Sequence, residues 1–206
     1  MSLFFTSDTH FDHANIIRYV NRPFRGVQEM NSTLFSNWAK KVSNDDEVYH
    51  LGDVALGRGR DSVASAVSVL KTLPGKKYLI PGNHDKHLDI LQEAFEILPC
   101  IAEIGVQPFR KQKKVVFQLC HYPLLSWDKA NKGAIHLHGH VHGRAVWDKY
   151  VIRRIDVGVD AWGFAPVSVD QIFARIEREE RLKPELKYDN FVKKDLVDYH
   201  TWTGEK

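Results

Sequence analysis

The chain has few cysteines, no long apolar run and no strong excess of either charge. Its two cysteines, Cys100 and Cys120, cannot build a disulfide framework, and Cys120 lies in an apolar stretch that favours a buried thiol. No apolar run approaches the roughly 18 residues of a membrane span. The first polar motif starts too early to leave room for a signal peptide. We therefore expect a cytoplasmic protein that does not bind membranes.

The charged residues are balanced and spread along the chain. A net charge of +3 gives mild attraction for anions. The basic residues are spread out and do not form the broad basic face of a dedicated nucleic-acid-binding protein. A small anionic partner therefore fits as well as a polymer. We find no internal repeat and no low-complexity segment, and the sequence leaves the oligomeric state open.

The length and composition indicate one domain followed by a charged segment. A chain of 206 residues with 43% hydrophobic content can bury one core, whereas two domains would be small. From about residue 177 the composition becomes strongly charged. We expect a domain over residues 1–176 and a tail over residues 177–206 that is either flexible or packs as an arm or dimer contact.

Short apolar runs that each end at a polar residue predict buried strands. Such runs lie at residues 3–5, 48–51, 78–80, 115–119 and 134–138, and a further strand is predicted within residues 150–159. Apolar spacing predicts helices over residues 30–42, 63–73 and 88–98. Ser168 and Gln171 form a capping box, which begins a last helix that should cover an outer face.

The order of these elements predicts the fold class. Strands that alternate with helices in the first half favour parallel pairing, and the segment after residue 100 reads as a hairpin. We expect an α/β protein with two packed, mixed β-sheets flanked by helices. Ligands of such sheets bind beyond the carboxyl ends of the strands, where the polar motifs occur.

These polar motifs carry residues that bind hydrolytic divalent cations. The motifs are Asp8-Thr9-His10, Gly52-Asp53, Gly82-Asn83-His84-Asp85, His121 and Gly139-His140-Val141-His142-Gly143. If Asp8 to His10 is extended, both side chains point the same way and reach one ion, and the same holds for His140 and His142. A carboxylate such as Asp53 can bridge two cations. His136 and His138, which precede Gly139, are expected to be core residues or to support the ligands.

The five motifs, in this order, resemble those of the calcineurin-like metallophosphoesterase superfamily over roughly residues 3–160. The opening Asp-Thr-His-Phe and the following Asn15-Ile16-Ile17 are also similar to small stand-alone bacterial and phage phosphoesterases. The resemblance implies a fold of two β-sheets between helices, in four layers (αββα). It also implies a hydrolase that acts on phosphate esters.

The resemblance further implies how two divalent ions are held. Its two ligand sets share Asp53: one is Asp8, His10, Asp53 and His142, and the other is Asp53, Asn83, His121 and His140. A water that bridges the ions would lose its proton and attack phosphorus in line. Mixed nitrogen and oxygen ligands favour manganese, iron or zinc, with nickel or cobalt as substitutes in vitro, over magnesium alone.

Several further residues are candidates for catalysis or substrate binding. His84 is free to donate a proton to the leaving oxygen or to clamp the phosphate, and Asp85 could fix its tautomer. The candidates for substrate contact are His13, Asn15, Arg22, Arg144 and Tyr122. Each has an ordinary alternative: a surface residue for the histidine, solvated cations for the arginines, and core packing for Tyr122 and Trp127.

We favour a phosphodiesterase that acts on a nucleotide-like small molecule. The alternatives are a phosphomonoesterase or protein phosphatase, then a nuclease, which the lack of a broad basic face disfavours. A scaffold that has lost its metals is the weakest alternative, because every implied ligand is present.

Overall fold

A computed structural model describes residues 1–57, 59–107, 114–144 and 152–182. The elements, in chain order, are β1 (Leu3–Thr6), α1 (Ala14–Tyr19), α2 (Val27–Lys41), β2 (Glu47–His50), α3 (Arg60–Thr72), β3 (Lys76–Leu79), α4 (Leu88–Leu91), β4 (Glu96–Ile97), β5 (Ile101–Val106), β6 (Val115–Cys120), β7 (Ile135–His138), β8 (Arg154–Asp156), β9 (Val167–Ser168) and α5 (Val169–Leu182). They form a mixed α/β fold with two mixed sheets flanked by helices, which confirms the predicted fold class.

The first sheet has the strand order β4-β3-β2-β1-β9. Strands β1 to β4 pair in parallel, with Phe5 opposite Tyr49 and Tyr49 opposite Tyr78. Only β9 is antiparallel, beside β1. The alternation of strands and helices in this half therefore led to the parallel pairing that we expected.

The second sheet has the order β5-β6-β7-β8. Strands β5 and β6 form the predicted antiparallel hairpin, with Ile104 opposite Phe117. Strands β6, β7 and β8 are parallel. The carboxyl ends of β6 and β7 thus lie at one edge of this sheet, immediately before His121 and Gly139.

The main core lies between the two sheets, because alternate residues of each strand face inward. Phe5 of the first sheet contacts Phe117 of the second, with ring centroids 5.6 Å apart. On the other face of the first sheet, Met30 and Leu34 of α2 and Leu70 of α3 form a second buried cluster. The first cluster packs the two sheets against each other, and the second packs α2 and α3 against the first sheet.

Helix α5 begins at the predicted capping box but packs elsewhere than we expected. The Ser168 hydroxyl accepts from the Gln171 N–H at 3.2 Å, and the Gln171 side chain accepts from the Ser168 N–H at 3.1 Å. Its buried residues Ile172 and Phe173 join the core between the sheets, so the helix does not cover an outer face. The apolar pattern gave the buried side of the helix but not the layer against which it packs.

One predicted helix was wrong. The apolar pattern over residues 88–98 is not one helix: α4 ends at Leu91, and Glu96–Ile97 pairs with β3 as an edge strand. Helix α5 continues to Leu182, and its last buried residue is Ile176, where we expect the domain to end. The rest of the proposed tail, residues 183–206, lies outside the described residues. Within the described part of the chain, no helix combines the length and apolar character needed to cross a membrane.

Candidate metal centre

The loops that follow β1, β2, β3, β6 and β7 meet at the carboxyl ends of both sheets. They carry Asp8 and His10, Asp53, Asn83 and His84, His121, and His140 and His142, respectively. Backbone hydrogen bonds join the first two loops: the Asp8 N–H donates to Gly52 O at 3.0 Å, and the His10 N–H donates to Asp53 O at 3.1 Å. The candidate ligands, far apart in sequence, therefore converge in one place.

Two groups of side chains bring their ligand atoms close enough to hold an ion. The ligand atoms of Asp8, His10 and His142 lie within 4.8 Å of one another, and so do those of Asp8, Asp53 and His121. Asp53 Oδ2 lies 3.5 Å from His10 Nε2 and 3.6 Å from His121 Nε2. This oxygen thus sits between a histidine of the first group and a histidine of the second.

Each of the two carboxylates uses one oxygen to hold a neighbouring loop and turns the other toward the site. Asp8 Oδ2 accepts from the His140 N–H, and Asp53 Oδ1 accepts from the His84 N–H, both at 2.9 Å. Asp8 Oδ1 is buried without a hydrogen-bond partner, and so is His10 Nε2. A buried polar atom without a partner costs about 1–3 kcal/mol, so these atoms fit a bound cation.

The tautomer of His121 supports the same conclusion. Its Nδ1 lies 2.7 Å from Leu51 O, which can only accept, so Nδ1 carries the proton. In the neutral ring, Nε2 is then an acceptor, yet it lies 3.1 Å from Asn83 Oδ1. A cation between these electron pairs satisfies both atoms at once. The donor set therefore fits a divalent metal ion.

A buried ion pair orients His142. The His142 Nδ1–H donates to Asp160 Oδ2 at 2.8 Å, which leaves Nε2 facing Asp8 Oδ1 at 3.9 Å. Asp160 is in turn held by the Arg22 guanidinium through two hydrogen bonds of 2.8 Å. Arg22 also donates to the backbone carbonyls of Asp8 and Thr9. A carboxylate behind a ligating histidine fixes its ring and raises its basicity.

This geometry revises the predicted role of Arg22. Its side chain is fully buried and its donors point to Asp160 and the backbone, so it does not face a substrate. We missed Asp160 as a functional residue. Its place just after β8, at the same edge as the other loops, is the signal in the sequence that could have identified it.

His13 supports a ligand in a similar way. Its Nδ1 lies 3.2 Å from His10 Nδ1. When His10 Nδ1 donates to His13, the Nε2 of His10 is left unprotonated and faces Asp53. The structure therefore gives His13 a contact with a ligand, in addition to its half-buried place beside the site. Burial is the main cause that lowers the pKa of His13.

The backbone at the ligands is not extended, so the expected geometry was wrong. Asp8, His10, Asp53, His140 and His142 all have positive φ, between 50° and 71°. Aspartate and histidine are enriched among the side chains that adopt this left-handed region, which still costs about 1–3 kcal/mol where the structure enforces it. The i and i+2 side chains reach the same ion because each ligand stands on a sharp turn, and not because the strand continues.

Glycines allow the loops to approach closely. A Cβ on Gly139 would collide with the Ser7 hydroxyl and the Asp8 carboxylate. A Cβ on Gly82 would collide with Asp53 Oδ1. The glycine that precedes a ligand in these motifs therefore provides space for the carboxylate from another loop.

Asp85 has a different role from the predicted one. Its carboxylate is buried and accepts three backbone hydrogen bonds, from Asp53, Val54 and Gly82, at 2.8 to 2.9 Å. Both oxygens are thus occupied away from the His84 ring, so Asp85 does not fix that tautomer. Burial raises the pKa of Asp85, against the lowering effect of these N–H donors. Asp85 instead holds the turns that carry Asp53 and Asn83 together.

The burial of charge is strongest at Asp8. Burial raises the pKa of Asp8 to about 8, although the nearby His142 lowers it. Burial also lowers the pKa of His10 far below its usual range. Burial disfavours the charged form of His142 as well, but its hydrogen bond to Asp160 raises the pKa of the ring overall. Burial thus disfavours the charge on Asp8 and on His10, and a cation beside Asp8 would favour its ionised form.

The other candidates surround the site. His84 Nε2 lies 4.0 Å from Asp53 Oδ2, and 38% of the side chain is exposed. Tyr122 is partly exposed beside His140, with ring centroids 4.8 Å apart. Asn15 and Arg144 are exposed, and no contact with a ligand is shown for them. Trp127 is buried and its indole N–H donates to Ala134 O, so it belongs to the core.

The two histidines of β7 are core residues. His136 and His138 are fully buried. His136 Nδ1 lies 3.0 Å from Gln118 O, and its Nε2 accepts from the Leu124 N–H at 3.0 Å. His136 therefore holds the segment that leads from His121 through Tyr122, which is a supporting role.

The chain is similar to several known proteins. The family model of calcineurin-like phosphoesterases matches residues 1–144. An uncharacterized protein of Methanocaldococcus jannaschii is 36% identical over 85% of this chain and 92% of its own length. The gene 66 protein of Mycobacterium phage L5 is 31% identical over 82% of this chain and 91% of its own. A structure of a protein of unknown function from Aquifex aeolicus is similar with a TM-score of 0.66 and 28% identity, and covers 84% of this chain and 98% of that one.

Proposed function

The chain belongs to the calcineurin-like phosphoesterase family, whose members hydrolyse phosphate esters with divalent metal ions. We propose that it is a phosphodiesterase with two such ions that share Asp53. The observation that carries this proposal is the place of Asp53 Oδ2, 3.5 Å from His10 Nε2 and 3.6 Å from His121 Nε2. A carboxylate oxygen between two imidazoles from separate groups is suited to bridge two cations.

We assign the ligands of the two ions from these contacts. Asp8 occurs in both groups of ligand atoms; we assign it with His10 and His142 to one ion, and His121 with Asn83 to the other. His140, whose N–H is bonded to Asp8 and whose ring lies 5.1 Å from that of His121, completes the second set. These nitrogen and oxygen donors suit manganese, iron or zinc better than magnesium alone.

The residues around the two ions would have different roles in the reaction. Ions held at this site would acidify a water molecule and neutralise charge on the phosphoryl oxygens. His84 is 38% exposed and its Nε2 lies 4.0 Å from Asp53 Oδ2, so its ring could reach a substrate and would donate a proton to the leaving oxygen. Arg22 and Asp160 keep His142 oriented, and Asp85 keeps Asp53 in its turn.

The preference for diesters over monoesters rests on charge. A phosphate monoester carries two negative charges at neutral pH and gains most from a bidentate arginine. Arg22, whose guanidinium also contacts the Asp8 carbonyl, is buried and paired with Asp160, so it is not free to bind a phosphate. A singly charged, nucleotide-like diester needs less compensation, so we favour it as the substrate.

A comparison of substrates tests this function. The purified protein, supplied with manganese, iron or zinc, should hydrolyse bis-p-nitrophenyl phosphate and a dinucleoside phosphate faster than p-nitrophenyl phosphate or a phosphopeptide. The measurement is kcat/KM for each substrate. A higher kcat/KM on the monoesters would make the protein a phosphomonoesterase or protein phosphatase, and cleavage restricted to long DNA or RNA would make it a nuclease.

Asp160→Asn and Asn83→Ala should each weaken a different ion. In Asp160→Asn, one side-chain oxygen must serve both Arg22 and His142, so the ion beside Asp8 should bind about 10- to 100-fold more weakly. In Asn83→Ala, the ion beside His121 should be weakened instead. Metal content and anomalous diffraction from crystals grown at limiting metal would identify the emptied position. If both variants lost the same ion, our division of the ligands would be wrong.

A further inference from the structure

Two exposed tyrosines lie near different histidines of the candidate metal centre. The Tyr19 ring lies 6.1 Å from the His13 ring, which lies 5.2 Å from the His10 ring. The Tyr122 ring lies 5.1 Å from the His121 ring and 4.8 Å from the His140 ring. His13 therefore lies between Tyr19 and His10, a ligand of one proposed ion, whereas Tyr122 lies directly beside two ligands of the other.

Asp53 links the two groups of residues. Its Oδ2 lies 3.5 Å from His10 Nε2 and 3.6 Å from His121 Nε2. A series of contacts therefore leads from Tyr19 through His13, His10 and Asp53 to His121 and Tyr122. A phosphate seated at Asp53 would have one tyrosine at each end of this series.

Both rings are available to a ligand. Tyr19 is 61% exposed and Tyr122 is 45% exposed, and these exposed fractions are high for large aromatic side chains. The sites are also preformed. Tyr19 is the last residue of α1, and the buried His136 holds the backbone around Tyr122 through Leu124. Ordering these rings on a ligand would therefore cost little conformational freedom.

Aromatic side chains of this kind bind planar groups. Every nucleobase has a π-face, so stacking on tyrosine contributes to binding with little dependence on the base. A phosphodiester has a group on each side of phosphorus, and only a substrate with a planar group on both sides can use both rings. The mild net charge of +3 also suits a short ligand with few phosphates.

We propose that Tyr19 and Tyr122 form two stacking subsites, one on each side of the scissile phosphate, and that the substrate is a dinucleotide with a base on each side. This inference rests on the proposed phosphodiesterase function and specifies its substrate class. Tyr19 was not among the residues that the sequence analysis selected. Nothing in its helical context distinguishes it from a surface tyrosine until the fold brings α1 beside His10.

The test compares three diesters in which two, one or no nucleoside flanks the phosphate. They are a dinucleoside phosphate, a nucleoside methyl phosphate, and a dialkyl ester such as dimethyl phosphate, which has no base. We expect Tyr19→Ala and Tyr122→Ala each to lower kcat/KM on the dinucleoside phosphate by about 5- to 100-fold, mainly through KM, since one stacked base is lost in each. In the double variant, the fold-loss in kcat/KM should be the product of the losses in the two single variants. The loss of activity on the dialkyl ester, which has no base to stack, should be much smaller.

Matched variants separate stacking from other effects. Tyr19→Phe and Tyr122→Phe keep the ring and should retain wild-type KM. Val69→Ala removes an exposed apolar side chain from α3 and should change nothing. Thermal unfolding should be unaltered in all of them, because the rings are exposed.

Three results would overturn the inference: equal losses on all three diesters, no loss on the dinucleoside phosphate, or phenylalanine variants as impaired as the alanine ones. A wild-type protein that hydrolyses bis-p-nitrophenyl phosphate while its tyrosine variants are unaffected would refute the subsites and leave the phosphodiesterase function standing. A wild-type protein that hydrolyses no diester would refute both.

Discussion

Asp53→Asn should lose most of its bound metal and lower kcat/KM by about 10²–10³-fold or more, the loss typical when a group that stabilises transition-state charge is removed. The substitution keeps the shape of the side chain. Its amide oxygen can still accept from the His84 N–H, so the turn is retained. The other atom becomes an NH2 group that faces His10 and His121. It donates to their Nε2 atoms and no longer attracts cations.

Metal content and activity are measured on the same folded sample. Asp89→Asn provides the control, because Asp89 is an exposed carboxylate that pairs with Arg60 on the surface. It should keep both metals and full activity, while circular dichroism shows that both variants are folded. Binding of two metal ions per chain by folded Asp53→Asn would falsify the bridging role.

His84→Ala should keep both metal ions and lose about 10²–10⁴-fold in rate on dialkyl diesters, as expected for a general acid. The loss should be smaller on p-nitrophenyl esters, since their leaving group is stable as an anion and needs no proton. The backbone N–H of residue 84 still reaches Asp53 in the variant, so the geometry around the metal centre is preserved. The comparison of kcat on the two leaving groups measures the effect.

His87→Ala is the matched control for His84. It changes a histidine three residues further along, before α4, and should leave both activities intact. Equal losses of His84→Ala on both leaving groups would make His84 a clamp for the phosphate. Loss of a metal ion would make it a ligand.

The order of the strands and the location of the site could be predicted from the sequence for a physical reason. Parallel strands present their carboxyl ends at one edge, so polar residues that follow separate apolar runs must meet there. Asp8, Asp53 and His121 are 45 to 68 residues apart in consecutive steps, yet their ligand atoms lie within 4.8 Å of one another. Periodicity also identified α2 and the hairpin of β5 and β6.

The remaining features depend on contacts that spacing cannot reveal. Arg22 looked like a solvent-facing or substrate-facing cation, because the sequence does not show that the loop before α2 lies against Asp160. Asp85 looked like a partner of its neighbour His84, whereas its carboxylate turns back to three backbone N–H groups. The residues of α4 and β4 share one apolar pattern because both bury the same side, although the chain changes conformation between them.

The strained turns at the candidate ligands affect the stability of the folded protein when metal is scarce. Positive φ at five ligands, an unpaired Asp8 oxygen and a raised Asp8 pKa all burden the folded chain without a cation. Because the pKa of Asp8 is higher in the folded chain than in the unfolded one, this burden grows from pH 3.8 to about 8. An ion that binds only the folded state at 100 times its Kd offsets about 2.7 kcal/mol. We therefore expect the supply of metal to set the resistance of this chain to unfolding and proteolysis, and its thermal midpoint to rank the cations that it prefers.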